Sequence, residues 1–159
     1  MPDCMNALNE SDLREAVLNA LRNKPFLGIC VGAQLLFNHS EEGNTAGLGW
    51  FSGSVKRFPT KQTDSQGNLL KVPHMGWNTV HQTQNHPLFA DIAQNERFYF
   101  VHSYYFVPEN PNMTLATSEY PDNFACIVGK DNVFATQFHT EKSHQAGLIL
   151  LRNFINWHI

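Results

Sequence analysis

The chain has 159 residues, 42% of them apolar and 16% charged, which suits one folded domain over residues 1–159 and excludes a disordered chain. A net charge of −3 supplies no basic face for nucleic acid or an anionic membrane. Three widely spaced cysteines, Cys4, Cys30 and Cys126, form no disulfide framework, residues 1–10 lack a signal-peptide pattern, and no apolar run approaches a membrane span, so the expected location is cytoplasmic.

In chain order, Ser11-Asp12 is a cap candidate before Leu13, Ala16, Val17, Ala20 and Leu21, which recur at helical spacing until Lys24-Pro25. Phe26 to Ile29 is a short apolar run that fits a buried strand, and Val31 to Glu42 reads as a helix after it. Gly43 to Gly49 is loop. Strands are then predicted at Ser54 to Phe58, Lys71-Val72, Trp77 to His81, Phe98 to Val107 and Thr114 to Thr117. Polar Thr60 to Asn68, with Gly67, is a mobile loop in this reading. Ala125 to Val128 and Val133 to Phe138 flank Lys130-Asp131-Asn132, a hairpin signal. Ser143 opens a last helix with an apolar stripe of Ala146, Leu150, Leu151, Phe154 and Ile155. The pattern predicts an α/β fold with a β-rich second half.

Gly28-Ile29-Cys30-Val31-Gly32 is G-x-C-x-G between a strand and a helix. The same arrangement with serine is the nucleophile elbow. Its turn crowds the backbone, so glycine is expected on both sides of the nucleophile. A thiol at the start of a helix is placed where N–H groups favour thiolate and can bind an oxyanion. Cys30 then needs a base. His139 follows the apolar run Val133 to Phe138 and has Glu141 two residues on, where a carboxylate can orient the imidazole. His74, His81, His86 and His102 lie on or beside predicted strands without metal-ligand spacing. His139-Thr140-Glu141 has the H-x-E form of zinc deaminases, but no P-C-x-x-C accompanies it. No metal and no cofactor is expected.

Two runs carry a resemblance. KPFLGICVGAQLLF (24–37) is similar to the nucleophile segment of class I (triad-type) glutamine amidotransferases, and QFHTEKS (137–143) to their His-Glu segment. KVPHMGWN (71–78) and FYFVHSYY (98–105) resemble the branch of that family formed by the glutaminase subunits of imidazole glycerol phosphate synthases. The resemblance covers essentially the whole chain. It implies a flavodoxin-like α/β fold, and hydrolysis of L-glutamine to glutamate with ammonia passed to a (β/α)8-barrel cyclase in histidine biosynthesis. It implies Cys30 as nucleophile, His139 as general acid/base, Glu141 as its orienting partner and the Val31 N–H as an oxyanion donor. It places Gly28, Gly32, Gln34, Ser103 and Tyr104 around the substrate, and His74, Met75, Trp77 and Asn78 toward the cyclase and the ammonia exit. Thr140 stands where the family usually has Pro, and Ala33 where it often has Met. Members also carry sequence ahead of the point matching Met1, including a glycine-rich strand with a second oxyanion donor. The expectation is a fold lacking the first strands of the sheet. Three readings remain open: the amidotransferase glutaminase, a stand-alone Cys-His hydrolase, and an inactive copy that only binds the cyclase.

Overall fold

A computed structural model describes residues 1–159. Two helices come first, α1 (Pro2–Glu10) and α2 (Arg14–Asn23), then β1 (Phe26–Ile29) and a single helical turn, α3 (Val31–Gln34). Nine strands follow: β2 (Phe37–Ser40), β3 (Thr45–Ala46), β4 (Phe51–Arg57), β5 (His74–Gln82), β6 (Glu96–His102), β7 (Tyr104–Pro108), β8 (Thr114–Glu119), β9 (Asn123–Lys130) and β10 (Val133–Thr136). Helix α4 (His144–Ile155) closes the chain. The ten strands form one mixed sheet in the order β3-β2-β4-β7-β9-β8-β5-β6, with β10 also on β9 and β1 on β10. Only β1/β10 and β2/β4 are parallel. No helix is long and apolar enough to cross a membrane.

Strands β9 and β10 are the buried heart of the sheet, and their side chains divide between two apolar layers, the alternation slipping once in β9, where Cys126 and Ile127 enter the same layer at a register shift against β8. Phe124, Cys126 and Phe134 enter one layer with Phe98, Phe100, Phe138 and Leu150 of α4. Ala125, Val128, Val133 and Ala135 enter the other, with Leu21 of α2 and Ala33 of α3. The hairpin between β9 and β10 turns at Asp131, whose φ is 54°. Asn132 in that turn is buried, and its side-chain amide donates to the carbonyls of Leu21 and Lys24. Its own carbonyl accepts from Phe26 N–H at 2.9 Å. One asparagine thereby ties the end of α2 and the start of β1 to β10.

Several sequence expectations are corrected. The helix predicted from Val31 to Glu42 lasts one turn, because Phe37 is pulled into the core against Phe106 (5.2 Å between rings) and Phe51 (5.5 Å). Residues 37–40 then pair with β3 and β4, and tertiary pairing overrides local helix preference. The strand predicted from Phe98 to Val107 breaks at Ser103. Its first half pairs with β5, and its second with β4 and β9. Lys71-Val72 is not a strand, since Pro73 has no N–H for a ladder. Ser11 and Asp12 do not cap α2, whose first turn has no side-chain cap. The Ser11 hydroxyl instead donates to Leu8 O at the end of α1, a helix the periodicity did not reveal. Ile155 of the predicted stripe is exposed.

Candidate active site

Parallel pairing of β1 with β10 builds the site. It sets Ile29 beside Thr136, so the two chains leave the sheet together at their C-terminal ends. That is where α/β sheets present ligand sites. Cys30 comes off β1 and Gln137 off β10. The Cys30 N–H donates to Thr136 O at 2.8 Å and locks the two exits in register. Cys30 itself has φ 50° and ψ −111°, a strained backbone for a residue with a Cβ. Its carbonyl accepts from both Ala33 and Gln34 N–H at 3.1 Å, which winds α3 tightly behind the thiol. A Cβ on Gly28 would lie 3.0 Å from Ala33 Cα, so only glycine fits there without a shift of α3. A Cβ on Gly32 would meet nothing within 4 Å. The crowding expected on both sides of Cys30 therefore holds on one side only.

The thiol of Cys30 is partly buried. Desolvation pushes its pKa up, against the pull of the Val31 N–H and of Gln137, while the Glu141 carboxylate raises it and Lys142 lowers it. This corrects the thiolate expected from a helix start. One turn of helix carries little dipole, and burial outweighs it.

His139 follows Phe138 at the end of the β10 exit. Its Nδ1 lies 2.7 Å from Glu141 Oε1. A carboxylate only accepts, so Nδ1 donates the proton in this bond and Nε2 is left facing away from Glu141. Burial raises the pKa of Glu141, but the His139 bond, its own N–H and the charges of His139 and Lys142 bring the carboxyl below its usual range. No hydrogen bond joins the thiol to the imidazole. The thiol's side-chain partner is Gln137 Nε2, at 3.9 Å.

Gln34, Ser103 and Tyr104 line a cavity of about 330 Å³ with Cys30, Val31 and His102. Gln34 is buried, and its amide nitrogen donates to Tyr104 O (3.3 Å) and to Gln137 Oε1 (3.1 Å). Along β5, Met75 and Trp77 are exposed, whereas His74 is buried. His74 lies on the inner face of the pleat with Asn78 and cannot present its ring to a docking protein.

Three residues at the site were not singled out from the sequence. Gln137 is fully buried between Gln34 and Cys30. Ser143 Oγ donates to His139 O at 2.6 Å and accepts from Tyr99 N–H at 3.0 Å. With the 2.9 Å bond from His139 N–H to Tyr99 O, it clamps the His139 turn to β6. Gln137 and Ser143 are the two ends of QFHTEKS, so the motif held the signal without its meaning. His102 is the third.

The model of the class-I glutamine amidotransferase family matches residues 6–157. The imidazole glycerol phosphate synthase subunit HisH of Neisseria meningitidis serogroup B is 73% identical over 157 residues, 99% of this chain and 74% of that one. The HisH subunit of Chromobacterium violaceum is 64% identical over the same shares. The chain thus spans about three quarters of the length of these relatives. A glutamine amidotransferase crystal structure superposes with a TM-score of 0.64 at 17% identity, over 94% of this chain and 69% of that one, a likeness of fold. With a family model spanning nearly every residue and relatives this similar, the chain belongs to the class-I glutamine amidotransferases.

Proposed function

We propose that this chain hydrolyses L-glutamine through Cys30, His139 and Glu141 and delivers the ammonia to a (β/α)8-barrel cyclase that makes imidazole glycerol phosphate. The observation that carries the reading is the β1/β10 pairing, which sets the strained Cys30 elbow beside Gln137, two residues before the hydrogen-bonded His139-Glu141 pair. The relatives' description as imidazole glycerol phosphate synthase subunits supports the partner.

The chemistry follows from the groups present. The resting thiol is protonated, because burial holds its pKa up. Glutamine entering the cavity brings its side-chain carbonyl to Cys30. The thiol proton passes to His139 Nε2 as sulfur attacks that carbon, and the Val31 N–H stabilises the oxyanion. Glu141 holds the imidazolium. His139 returns the proton to the amide nitrogen, ammonia leaves, and a thioester remains. Water then attacks the thioester with His139 as base, releasing glutamate and the thiol. Gln34 and the Ser103-Tyr104 backbone face the same cavity and suit the amino-acid end of the substrate.

The test uses the chain assembled with the cyclase. Cys30→Ala abolishes glutamine-dependent product formation and leaves ammonium-dependent formation intact. His139→Asn is about as damaging, since members of one catalytic unit are non-additive. Glu141→Gln costs less, because it orients without moving the proton. Near-normal glutamine hydrolysis by Cys30→Ala sinks the assignment.

A further inference from the structure

Beside the triad the structure buries a second pair of imidazoles. His74 opens β5, His102 closes β6, and they face each other as the last cross-strand pair of that ribbon. Only 4% of His74 and 5% of His102 is exposed. Their rings pack among Phe58, Phe100, Tyr120 and Phe124. A core of this kind is built from apolar rings at lower desolvation cost, so two imidazoles there need a reason.

The protons supply one. His102 Nδ1 lies 2.7 Å from Tyr104 O, and a carbonyl only accepts, so His102 Nδ1 donates. Burial holds both rings neutral, with His74 lowered to about 4 and His102 to about 3. Each ring then carries one proton. His102 Nε2 is a bare acceptor, and the 2.9 Å contact makes His74 Nδ1 its donor. His74 Nε2 in turn accepts from Asn78 Nδ2 at 3.3 Å, and that amide is anchored on Glu119 O at 2.8 Å. The bonds from Asn78 through His74 and His102 to Tyr104 O all run the same way, from β5 to the Ser103 bend. Tyr104 O receives a second bond from Gln34 Nε2, which also donates to Gln137 Oε1, and Gln137 Nε2 reaches Cys30 Sγ. One unbroken chain of polar groups links Asn78 to the thiol.

We propose that His102 and His74 are positioning residues of the glutaminase centre: a two-imidazole strut of fixed hydrogen-bond direction that holds the Tyr104 carbonyl and, through Gln34 and Gln137, the Cys30 thiol. The proposal rests on Cys30 being the nucleophile. It deepens that reading, because neither imidazole reaches the thiol and both act through the Ser103-Tyr104 backbone. Phenylalanine at 102 keeps the ring volume and removes the donor. Asparagine at 102 restores a donor near the place of Nδ1.

The test compares His102→Phe, His102→Asn and Cys30→Ala in the chain assembled with the cyclase. It reads kcat and KM for glutamine, melting temperature, and the alkylation rate of Cys30 by iodoacetamide. His102→Phe is expected to lower kcat at least ~10-fold, as a displaced reacting group does. It also changes Cys30 alkylation several-fold with little change in melting temperature, and His102→Asn recovers most of both. If Cys30→Ala is inactive and His102→Phe keeps wild-type kcat and alkylation, the strut is overturned while the nucleophile stands. The strut is also overturned if Phe and Asn lose kcat equally, in step with melting temperature. Glutamine hydrolysis by Cys30→Ala overturns the nucleophile instead, and alkylation of Cys30 in His102→Phe still judges the strut. Should His102→Phe fail to fold, His74→Phe decides: it strips His102 Nε2 of its donor, a smaller loss in the same direction supports the strut, and unchanged kcat and alkylation overturn it.

Discussion

At the scale of single residues, the two glycines around Cys30 do different work. Gly28 is packed: an added Cβ lies 3.0 Å from Ala33 Cα and 3.2 Å from the Leu36 side chain, so α3 must shift by a few tenths of an ångström to take it. Gly28→Ala is expected to destabilise by about 1–3 kcal/mol, the usual cost of overpacking. Gly32 is open, so Gly32→Ala is expected to stay within about 0.5 kcal/mol of the parent in urea unfolding. If the open space beside the thiol is where glutamine sits, Gly32→Ala raises KM while Gly28→Ala lowers stability. Equal stability losses in the two variants would show that the sites are equivalent after all. G-x-C-x-G was legible in the sequence. Which glycine answers to sterics was not, because Ala33 and Leu36 close on Gly28 only when α3 turns back on β1.

At the scale of elements, the β5/β6 ribbon stores a pH dependence. Both buried imidazoles titrate below the ordinary histidine value, His74 near 4 and His102 near 3. Burial is the first cause for both rings; on His102 the Tyr104 carbonyl favours protonation, and His74 and His139 oppose it. Between pH 6.5 and about 4 the unfolded chain therefore binds more protons than the folded one, so stability present above pH 6.5 is lost as pH falls. Well below 6.5 each imidazole contributes about 1.4 kcal/mol per pH unit. Unfolding free energy measured at pH 7, 6 and 5 is expected to fall progressively. The slope shrinks in a variant lacking one of the two rings, such as His74→Phe. A slope unchanged by that substitution would place the acid sensitivity elsewhere. The ribbon also shows where element reading stops. Phe98 to Val107 looks like one strand because its apolar run is continuous, and it becomes two because its halves find different partners.

At the scale of the molecule, β5 presents opposite faces to opposite tasks. His74, Asn78 and Val80 turn inward, whereas Met75 and Trp77 face out, 62% and 37% exposed. Trp77 rests edge-on against Tyr99 and near His144, with ring centroids 5.9 Å and 4.9 Å away. A large aromatic held in place yet open to solvent suits an interface anchor. Trp77→Ala is expected to weaken cyclase binding about tenfold or more in a titration, equivalent to about 1.4 kcal/mol. It loses only the edge packing on Tyr99 and His144 and not a core position, so melting temperature is expected to move by a few degrees. A large fall in melting temperature with unchanged affinity would return Trp77 to the core.

The sequence by itself determined the chemistry-bearing residues. Cys30 between glycines, His139 with Glu141, and the hairpin at Asp131 are local patterns, set by turn sterics and side-chain spacing that a few neighbours dictate. It also carried the apolar strand β10, which is buried throughout, whereas β1, expected to be buried, has only Gly28 buried and leaves Phe26, Leu27 and Ile29 half-buried. The tertiary structure decided which of these residues meet. Parallel pairing of β1 and β10 joins Cys30 to Gln137 across more than a hundred residues. The same long-range packing shortened α3 to one turn, split Phe98 to Val107 at Ser103, and turned His74 inward onto His102. Those outcomes depend on which strand lies alongside, and the free energy of that pairing and burial is absent from any short window of sequence.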